Sequence, residues 1–481
     1  MEKNQIIGRE SEIEQFERFC RSGKSEFIVV YGRRRVGKTF LIDRFFNQQY
    51  DFYMTGMYEA TNQEQLTHFA QRMSIHTGKA YPTPANWMDA FFQLQLYLQT
   101  LSRKKRIVVF IDELPWFDTP YSRFLKAFEL FWNNWASKQD NMKLVVCGSA
   151  TSWMTNKLVA SKGGLHNRIT HAIHLPPFNL HETELFLKSR GFAIERKQII
   201  EAYMILGGTP YYLDMLQKQF SVAQNINNLF FESNAPLRNE FDFLFKSLFN
   251  DSEIYKKVIT TLATKIKGLS KQEIIESAGI IDNGYLTEVL ENLKKCDFIR
   301  CYNAFGKKER NKLYQLTDLY SLFYLRFVKD YSGGDKNHWE HLIDTTAPWR
   351  GYAYEQVCLH HIPQIKKKLG INGIETEISS WSCRPFSDAD GTEWKGGQID
   401  LLIDRKDGII NLCEMKYANG EYSITKDYDK QLRERCETFR HITKTKKALH
   451  LTFVTTEGLA HNAYWNNIQS EVTMDDLFEK E

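Results

Sequence analysis

One stretch, Gly32-Arg33-Arg34-Arg35-Val36-Gly37-Lys38-Thr39, decides the fold, because its residues have the spacing of a phosphate-binding loop. An apolar run at 27–31 precedes it as a buried strand, and residues 40–46 follow it with the apolar spacing of a helix. In that context, loop N–H groups and a helix N-terminus can surround a phosphate. The stretch therefore predicts a nucleotide site. The alternative, a chance match in a glycine-containing turn, does not explain the flanking strand and helix.

The residue types in this loop assign roles in binding ATP and Mg²⁺. Lys38 can reach the β- and γ-phosphate oxygens, and the Thr39 hydroxyl can ligate Mg²⁺. The predicted ATP-binding residues of the loop are Gly32, Arg33, Arg34, Arg35, Val36, Gly37, Lys38, Thr39 and Phe40.

A second strand, at 106–111, ends in the two carboxylates Asp112 and Glu113. Beside a phosphate loop, such an aspartate holds Mg²⁺ through water, and the next glutamate acts as the base that activates the attacking water. We therefore predict Asp112 as the metal partner and Glu113 as the catalytic base. The alternative is an ordinary parallel strand that ends in solvated acids.

Two further residues are candidates with open alternatives. Ser149 follows the apolar strand at 143–148 and could sense the γ-phosphate, because ligands of parallel sheets lie at the carboxyl ends of strands. A simple turn serine is the alternative. Arg168 could reach a γ-phosphate across a subunit boundary, although a solvated arginine explains it as well.

Composition places limits on the class of protein. The chain has 481 residues, which predicts about three domains, and a formal net charge of +4, which permits an anionic partner without requiring one. Its eight cysteines show no Cys-x-x-Cys spacing, so neither a zinc site nor a disulfide framework is indicated. A polar start and the absence of a long apolar window predict a cytoplasmic protein without a membrane partner.

Five motifs, in this order, resemble the archaeal-type AAA-related ATPases of prokaryotes, which are kin to the STAND switch ATPases. They are Gly8-Arg9-Glu10, the loop at 32–39, the acidic strand end at 110–113, the strand end Gly148-Ser149, and Gly207-Gly208-Thr209-Pro210. The resemblance implies an α/β fold over 1–245, with a P-loop NTPase parallel sheet and a helical lid. It also implies that Gly8 and Arg9 lie near the adenine, and that Gly208 and Pro210 lie in the lid over the nucleotide, near its base.

Residues 246–330 have the pattern of a winged helix-turn-helix. Three helical segments, at 254–266, 270–275 and 283–295, precede two short strands that flank a polar tip. The tip and its edge carry the basic residues Lys307, Lys308, Arg310 and Lys312. Such a tip suits contact with a nucleic acid phosphate, and a spacer with a solvated tip is the alternative.

Residues 331–481 contain a predicted hairpin of strands 398–404 and 409–416. A three-residue loop with Gly408 at positive φ would pair 405 with 409 and set Asp400 opposite Glu414, with Lys416 on the same face. Opposed like charges are destabilising unless a cation separates them. We therefore predict Mg²⁺ or Mn²⁺ between them.

This arrangement resembles the PD-(D/E)xK nuclease core, a restriction-endonuclease-like α/β fold. The resemblance implies that Glu355, Asp400 and Glu414 bind the metal, and that Asp400, Glu414 and Lys416 are catalytic. Departures from the pattern are Ile399 in place of a proline and the lack of a tyrosine four residues after Gln431, where the basic face consists of Arg433 and Arg435. An inactive nuclease-like domain is the alternative.

Three functions remain open at this point. The first is an ATPase that controls a metal-dependent nuclease, with DNA favoured as the nucleic acid. The second is a STAND-like switch whose C-terminal domain binds nucleic acid or protein without cleavage. The third is a homo-oligomeric, ATP-driven motor that uses Arg168 between subunits.

Overall fold

The computed structural model describes residues 6–101, 105–149, 151–159, 165, 167–281, 284–306, 312–335 and 337–480. The chain forms two compact units, Met1–Pro177 and Phe178–Glu481. The predicted division at residues 245 and 330 is finer than this partition and stays a prediction.

The first unit is a five-stranded parallel sheet with the strand order β2-β3-β4-β1-β5. Its strands are β1 (Glu26–Tyr31), β2 (Phe52–Thr55), β3 (Ile107–Asp112), β4 (Met142–Gly148) and β5 (His171–His174). Its helices are α1 (Glu10–Arg21), α2 (Lys38–Phe46), α3 (Asn62–Thr77), α4 (Trp87–Gln99), α5 (Phe124–Asn134) and α6 (Thr151–Trp153). Short 3₁₀ turns lie at Leu114–Phe117 and Ala136–Lys138, and a π turn lies at Met154–Val159.

The apolar strands form because both faces of the sheet are covered. Phe27 and Val29 of β1 pack into one core cluster, and Ile28 and Val30 pack into the other. A parallel sheet buried on both faces needs such continuous apolar runs, which the sequence shows. Since the strands are parallel, the loop after β1 and the ends of β3 and β4 meet at one edge.

The second unit begins with helices α7 (Leu180–Ser189), α8 (Arg196–Leu206), α9 (Pro210–Leu213), α10 (Val222–Phe230) and α11 (Glu240–Leu248). Helix α8 ends at Gly207, which has φ +65°, and Pro210 occupies the first turn of α9. The predicted helix stop and restart at this segment are confirmed.

The next segment contains three helices and a small sheet of order β6-β8-β7. Its elements are α12 (Ser252–Leu262), β6 (Leu269–Ser270), α13 (Lys271–Ala278), α14 (Gly284–Lys295), β7 (Ile299–Asn303) and β8 (Lys312–Leu316). Ser270 caps α13 in a capping box with Glu273, as its position predicts. The predicted basic residues Lys307, Lys308 and Arg310 lie outside the described residues.

The remaining helices of the second unit are α15 (Leu319–Phe323), α16 (His338–Leu342), α17 (Ala347–His360), α18 (Ile362–Lys368), α19 (Lys426–Thr443) and α20 (Met474–Leu477). Its strands are β9 (Thr376–Cys383), β10 (Phe386–Ser387), β11 (Glu393–Trp394), β12 (Gly397–Arg405), β13 (Ile409–Lys416), β14 (Ala448–Thr455) and β15 (Ser470–Thr473). A π turn lies at Tyr324–Val328, and 3₁₀ turns lie at Ile343–Thr345 and Trp465–Asn467.

The C-terminal sheet has the order β15-β14-β13-β12-β9, antiparallel from β9 to β13 and parallel from β13 to β15. Helix α19 connects β13 to the parallel β14, as such a crossover requires. In the hairpin, Leu401 pairs with Cys413 and Asp404 pairs with Ile410. This is the predicted register, and Gly408 in its loop has φ +90°.

All eight cysteines are described and are free thiols. Among the described residues, no helix has the length and apolar character that crossing a membrane requires.

Candidate functional site

The phosphate loop lies between β1 and α2, as its sequence predicts. Gly37 is the N-cap of α2 with φ +88°, and Arg35 also has a positive φ of 76°. Lys38 is buried, and its Nζ donates to the carbonyl oxygens of Gly32 and Arg33, each at 3.0 Å. The ammonium group therefore lies within the curve of its own loop, where a phosphate oxygen could replace a carbonyl as its acceptor.

Gly32 is required by close packing at the start of the loop. A Cβ at this position would lie 2.3 Å from the Leu175 carbonyl oxygen, and the Gly32 φ of +153° also disfavours a side chain. The chain after β5 thus packs directly against the loop, where Leu175 N donates to Tyr31 O at 2.7 Å.

The structure brings Thr39 and Asp112 together across the sheet edge. The Thr39 hydroxyl donates to Asp112 Oδ2 at 2.9 Å, and Asp112 Oδ1 accepts from the Glu113 N–H at 2.9 Å and from the Cys147 thiol. Burial raises the pKa of Asp112, and the hydrogen bonds from Cys147 and Thr39 oppose that shift. A hydroxyl and a carboxylate in contact are the oxygen donors that Mg²⁺ prefers, so these residues fit the ion.

Glu113 is oriented by Ser149 from the neighbouring strand end. The Ser149 hydroxyl and N–H donate to Glu113 Oε2 at 2.9 Å and 3.0 Å. Glu113 itself has the left-handed values φ 46° and ψ 48°, a conformation that non-glycine residues adopt at a cost. The serine that the sequence offers as a phosphate sensor therefore contacts the candidate base.

Gly8 and Arg9 lie before α1, both with positive φ, and Arg9 Nη2 donates to Pro176 O at 2.6 Å. This segment thus contacts the chain next to Leu175, which packs on the phosphate loop. Their predicted contact with adenine stays a prediction.

The remaining predicted residues of the nucleotide site are Arg168, Gly208 and Pro210, and the predicted roles of Gly208 and Pro210 stay predictions. Arg168 is exposed and precedes β5, at the amino edge of the sheet, whereas the phosphate loop lies at the carboxyl edge. It is therefore remote from the loop of its own chain, and its role between subunits stays a prediction. Gly208 and Pro210 belong to the second unit, where a Cβ on Gly208 would lie 2.1 Å from Phe178 O.

In the second unit, the predicted carboxylates converge with Lys416. Burial raises the pKa of Glu355 to about 8, Asp400 and Glu414 add to the rise, and Lys416 opposes it. Burial likewise raises the pKa of Asp400, whose carboxylate accepts from Gln398 Nε2 at 2.5 Å. We call Glu355, Asp400, Glu414 and Lys416 the carboxylate pocket.

Both oxygens of Glu414 are already paired with cations of the chain. Lys416 Nζ lies 2.7 Å from Oε1, which also accepts from the Tyr428 hydroxyl, and Arg435 Nη1 donates to Oε2 at 2.6 Å. Burial acts to raise the pKa of Glu414, but Lys416 and Arg435 outweigh it and hold the pKa below its usual value.

The metal ion that the sequence predicts between the opposed acids stays a prediction, because side chains of the protein already supply positive charge there. Lys416 and Arg435 contact Glu414, and Arg300 and Arg435 interact electrostatically with Asp400. In the part of the chain that the structure describes, no group of three His, Cys, Asp or Glu side chains is arranged to hold a metal. The donor chemistry suits Mg²⁺ or Mn²⁺, but in the described arrangement Lys416 and Arg435 occupy both oxygens of Glu414.

Sequence reasoning missed three residues at these sites. The Cys147 thiol donates to Asp112, and the Tyr428 hydroxyl donates to Glu414. Arg300 interacts electrostatically with Asp400. Arg435 carried a signal, because it stands four residues after Gln431, where the nuclease pattern has a tyrosine. The other three residues carry no local pattern, since each comes from a different element.

The phosphate loop lies within a part of the chain that matches a known protein family. Residues 6–216 match the family model described as "ATPase domain predominantly from Archaea". An uncharacterized protein of Methanocaldococcus jannaschii is 27% identical over 429 residues, which covers 86% of this chain and 88% of that protein. An uncharacterized ATP-binding protein of the same organism is 48% identical over 40 residues, 8% of this chain and 68% of that protein.

Solved structures with similar folds include a Walker-type ATPase of Pyrococcus abyssi, with 18% identity and a TM-score of 0.48, covering 67% of this chain and 96% of that chain. The ORC2 protein of Aeropyrum pernix has 14% identity and a TM-score of 0.41, covering 67% of this chain and 93% of that chain.

Proposed function

Residues 6–216 form an archaeal-type ATPase domain, and from this premise we propose that the chain binds ATP with Mg²⁺ at residues 32–40 and hydrolyses it. The observation that carries the proposal is the 2.9 Å contact between the Thr39 hydroxyl and the Asp112 carboxylate. It joins the phosphate loop to the acidic strand end, which is the arrangement that nucleoside triphosphate hydrolysis requires.

The roles follow from the contacts of each side chain. The loop N–H groups and Lys38 bind the phosphates, and Thr39 and Asp112 would hold Mg²⁺, which supplies positive charge at the β- and γ-phosphate oxygens. Glu113 accepts a proton from the water whose oxygen bonds to the γ-phosphorus as the bond to ADP breaks. Ser149 keeps the Glu113 carboxylate in place.

The test measures ATP binding and turnover separately. Lys38→Ala should lose ATP affinity by at least about tenfold, because a cation that contacts two phosphate groups is removed. Glu113→Gln should keep ATP affinity and lose turnover by about 100-fold or more. Lys79→Ala, which removes an exposed lysine of the same unit, is the charge control. Full turnover in Glu113→Gln would refute the role of the base.

For the second unit, we propose a nuclease-like output domain, residues 331–481, that binds nucleic acid, with DNA favoured, and does not cleave it in the described arrangement. A helix, three antiparallel strands, a crossover helix and a parallel strand occur in the order α17, β9, β12, β13, α19 and β14, with α18, β10 and β11 inserted, and this order resembles the PD-(D/E)xK core. The observation against cleavage is that cations of the chain contact both oxygens of Glu414.

The preceding segment supports a role in nucleic acid binding. Its helices α12 to α14 and the hairpin of β7 and β8 have the layout of a winged helix-turn-helix, with Lys312 at the start of β8. We therefore propose residues 246–330 as a winged helix between the ATPase domain and the output domain.

The test for the output domain and the winged helix uses a short DNA duplex and plasmid DNA, each with Mg²⁺ or Mn²⁺ and with or without ATP. Duplex binding without strand cleavage is the expected result. Cleavage by the wild-type protein that is lost in Asp400→Ala would overturn the non-cleaving proposal in favour of an ATP-controlled nuclease. The absence of any duplex binding would refute nucleic acid as the partner.

The oligomeric motor remains a second candidate for the ATPase domain, because Arg168 is exposed and available to another subunit. Turnover per subunit should then rise with protein concentration and fall in Arg168→Ala. Turnover independent of concentration would exclude the motor.

A further inference from the structure

The hairpin of β7 and β8 contacts the C-terminal sheet beside the carboxylate pocket. Ala304, next to the end of β7, forms a parallel bridge with Ser380 of β9, and Phe305 N donates to Ser380 O at 2.7 Å. The Phe305 ring also packs 5.1 Å from the Phe439 ring of α19. In β9, Ser379 pairs with Leu402 and Trp381 pairs with Ile399, so Ser380 lies opposite the irregular step that contains Asp400.

Arg300 of β7, in the same hairpin, interacts electrostatically with Asp400. Arg300 and Ala304 lie on the same face of the extended chain, because side chains alternate with a period of two. The Arg300 guanidinium lies 4.4 Å from the centre of the Tyr302 ring, and its Nε donates to Gln315 Oε1 at 2.5 Å. Burial lowers the pKa of Arg300 and raises that of Asp400, and each group opposes the shift of the other.

The three carboxylates of the carboxylate pocket interact with cationic side chains, two of which lie outside the pocket as defined above. The carboxylates are Glu355, Asp400 and Glu414, and the cations are Arg300, Lys416 and Arg435. The cations come from three different elements, β7, β13 and α19. A divalent ion that bound Glu414 would have to displace Lys416 and Arg435 from its two oxygens, and it would be repelled by both cations at short range.

We propose that Arg300 and Arg435 stand where the nuclease-like fold would hold a metal ion, and that Arg300 thereby fixes the hairpin of β7 and β8 on the C-terminal sheet. The proposal rests on the proposed nuclease-like domain, and it places arginine side chains in the pocket of that domain instead of a metal ion. Arg300 is a positioning residue in this account, because it acts on Asp400 and on the placement of the hairpin.

The first experiment titrates Mn²⁺ into the full-length protein without ATP or DNA and measures binding by calorimetry. To leave the ATPase site out of the measurement, every protein also carries Asp112→Asn and Thr39→Ala. The protein with an unchanged carboxylate pocket should show no Mn²⁺ binding that depends on Asp400. Arg300→Gln and Arg435→Gln should each give measurable Mn²⁺ binding that depends on Asp400, because each removes one repelling charge.

Controls separate this effect from a loss of structure. Lys406→Gln removes one exposed cation at the far end of the same hairpin as Asp400 and should give no Mn²⁺ binding that depends on Asp400. Adding Asp400→Asn to Arg300→Gln should abolish the gained binding. A variant that only unfolds the domain would not gain metal binding, so a gain cannot come from damage.

The second experiment measures hydrogen exchange of the described hairpin residues, 299–306 and 312–316. Asp400→Asn should speed their exchange, because the neutral side chain no longer attracts Arg300, whereas Lys406→Gln should not. Binding of Mn²⁺ by the wild-type pocket that is lost in Asp400→Asn would overturn the proposal, as would a lack of Mn²⁺ binding in both arginine variants. The cleavage test of the proposed function is independent of both readouts.

Discussion

At the scale of single residues, the ATPase site depends on how Glu113 is oriented. Its left-handed backbone sets the direction of its side chain, and two donors from Ser149 hold Oε2. A base must have both the right position and a free lone pair for the water that it activates. The Ser149 hydroxyl contributes to the position, and in the proposed function the other carboxylate oxygen, Oε1, accepts from the water.

This contact leads to a prediction for Ser149→Ala. The variant keeps the N–H donor but loses the hydroxyl, so turnover of ATP should fall by about 10- to 100-fold with unchanged ATP affinity, as for other supporting partners of catalytic groups. Turnover kinetics and nucleotide binding measure the two effects. Ser189→Ala of helix α7 is the control. A rise in turnover would mean that the hydroxyl restrains Glu113.

Close packing explains why residue 208 is a glycine. With φ +65°, and with the Phe178 carbonyl oxygen only 2.1 Å from where a Cβ would lie, it has no room for a side chain. The Tyr203 hydroxyl donates to the same carbonyl at 2.9 Å. Packing within the second unit therefore accounts for the glycine at position 208 without a contact to nucleotide.

At the scale of elements, a buried histidine joins helices that are far apart in sequence. His361 at the end of α17 is fully buried, and its Nε2 accepts from Leu180 N of α7 at 2.9 Å. Its Nδ1 lies 2.7 Å from Val357 O, which requires the proton on Nδ1 and the lone pair on Nε2. The packing of these two helices thus depends on the neutral ring.

A pH dependence of stability follows from this histidine. Burial lowers the pKa of His361 to about 3, from 6.5 in an unfolded chain. Between those values the unfolded chain binds a proton that the folded chain excludes, so the stabilising contribution is complete above pH 6.5. It should decrease by about 1.4 kcal/mol per pH unit as the pH falls below 6.5.

Thermal unfolding of the second unit between pH 8 and pH 5 measures this effect. His361→Gln should be less stable at pH 8 and should show a weaker dependence on pH below 6.5. His360→Gln, which changes the adjacent exposed histidine, should keep the wild-type slope. Equal slopes in wild type and His361→Gln would refute the assignment.

At the scale of the whole molecule, the chain has two compact units, each with its own sheet and core. The nucleotide site described above belongs to the first unit, and the carboxylate pocket belongs to the second. Units with separate cores can unfold in separate steps, so one melting temperature does not describe such a chain.

Ligand binding should therefore act on one of two unfolding transitions. ATP with Mg²⁺, at a concentration a hundredfold above Kd, should stabilise the first unit by about 2.7 kcal/mol, because it binds only the folded site. Calorimetry should show the shift in one transition, and Lys38→Ala should abolish it. A single transition that shifts as a whole would show that the units unfold together.

Local features of the sequence determined much of this molecule. Strand, loop and helix at 26–46 are adjacent in the chain, so periodicity and glycine spacing predict them, and the parallel sheet follows from its apolar strands. The hairpin register was also predictable, because a three-residue loop with Gly408 leaves one alignment of its two strands.

Only the tertiary structure decided which distant groups meet. The pairing of Ser149 with Glu113, and of Arg435 with Glu414, depends on strand order and on the packing of α19, which no local spacing encodes. Arg300 interacts electrostatically with Asp400 in a region where the chain after β7 contacts β9, far away in sequence. The acids of the hairpin were foreseeable from short-range geometry, but their counter-ions were not, because long-range packing brings those charges to the pocket.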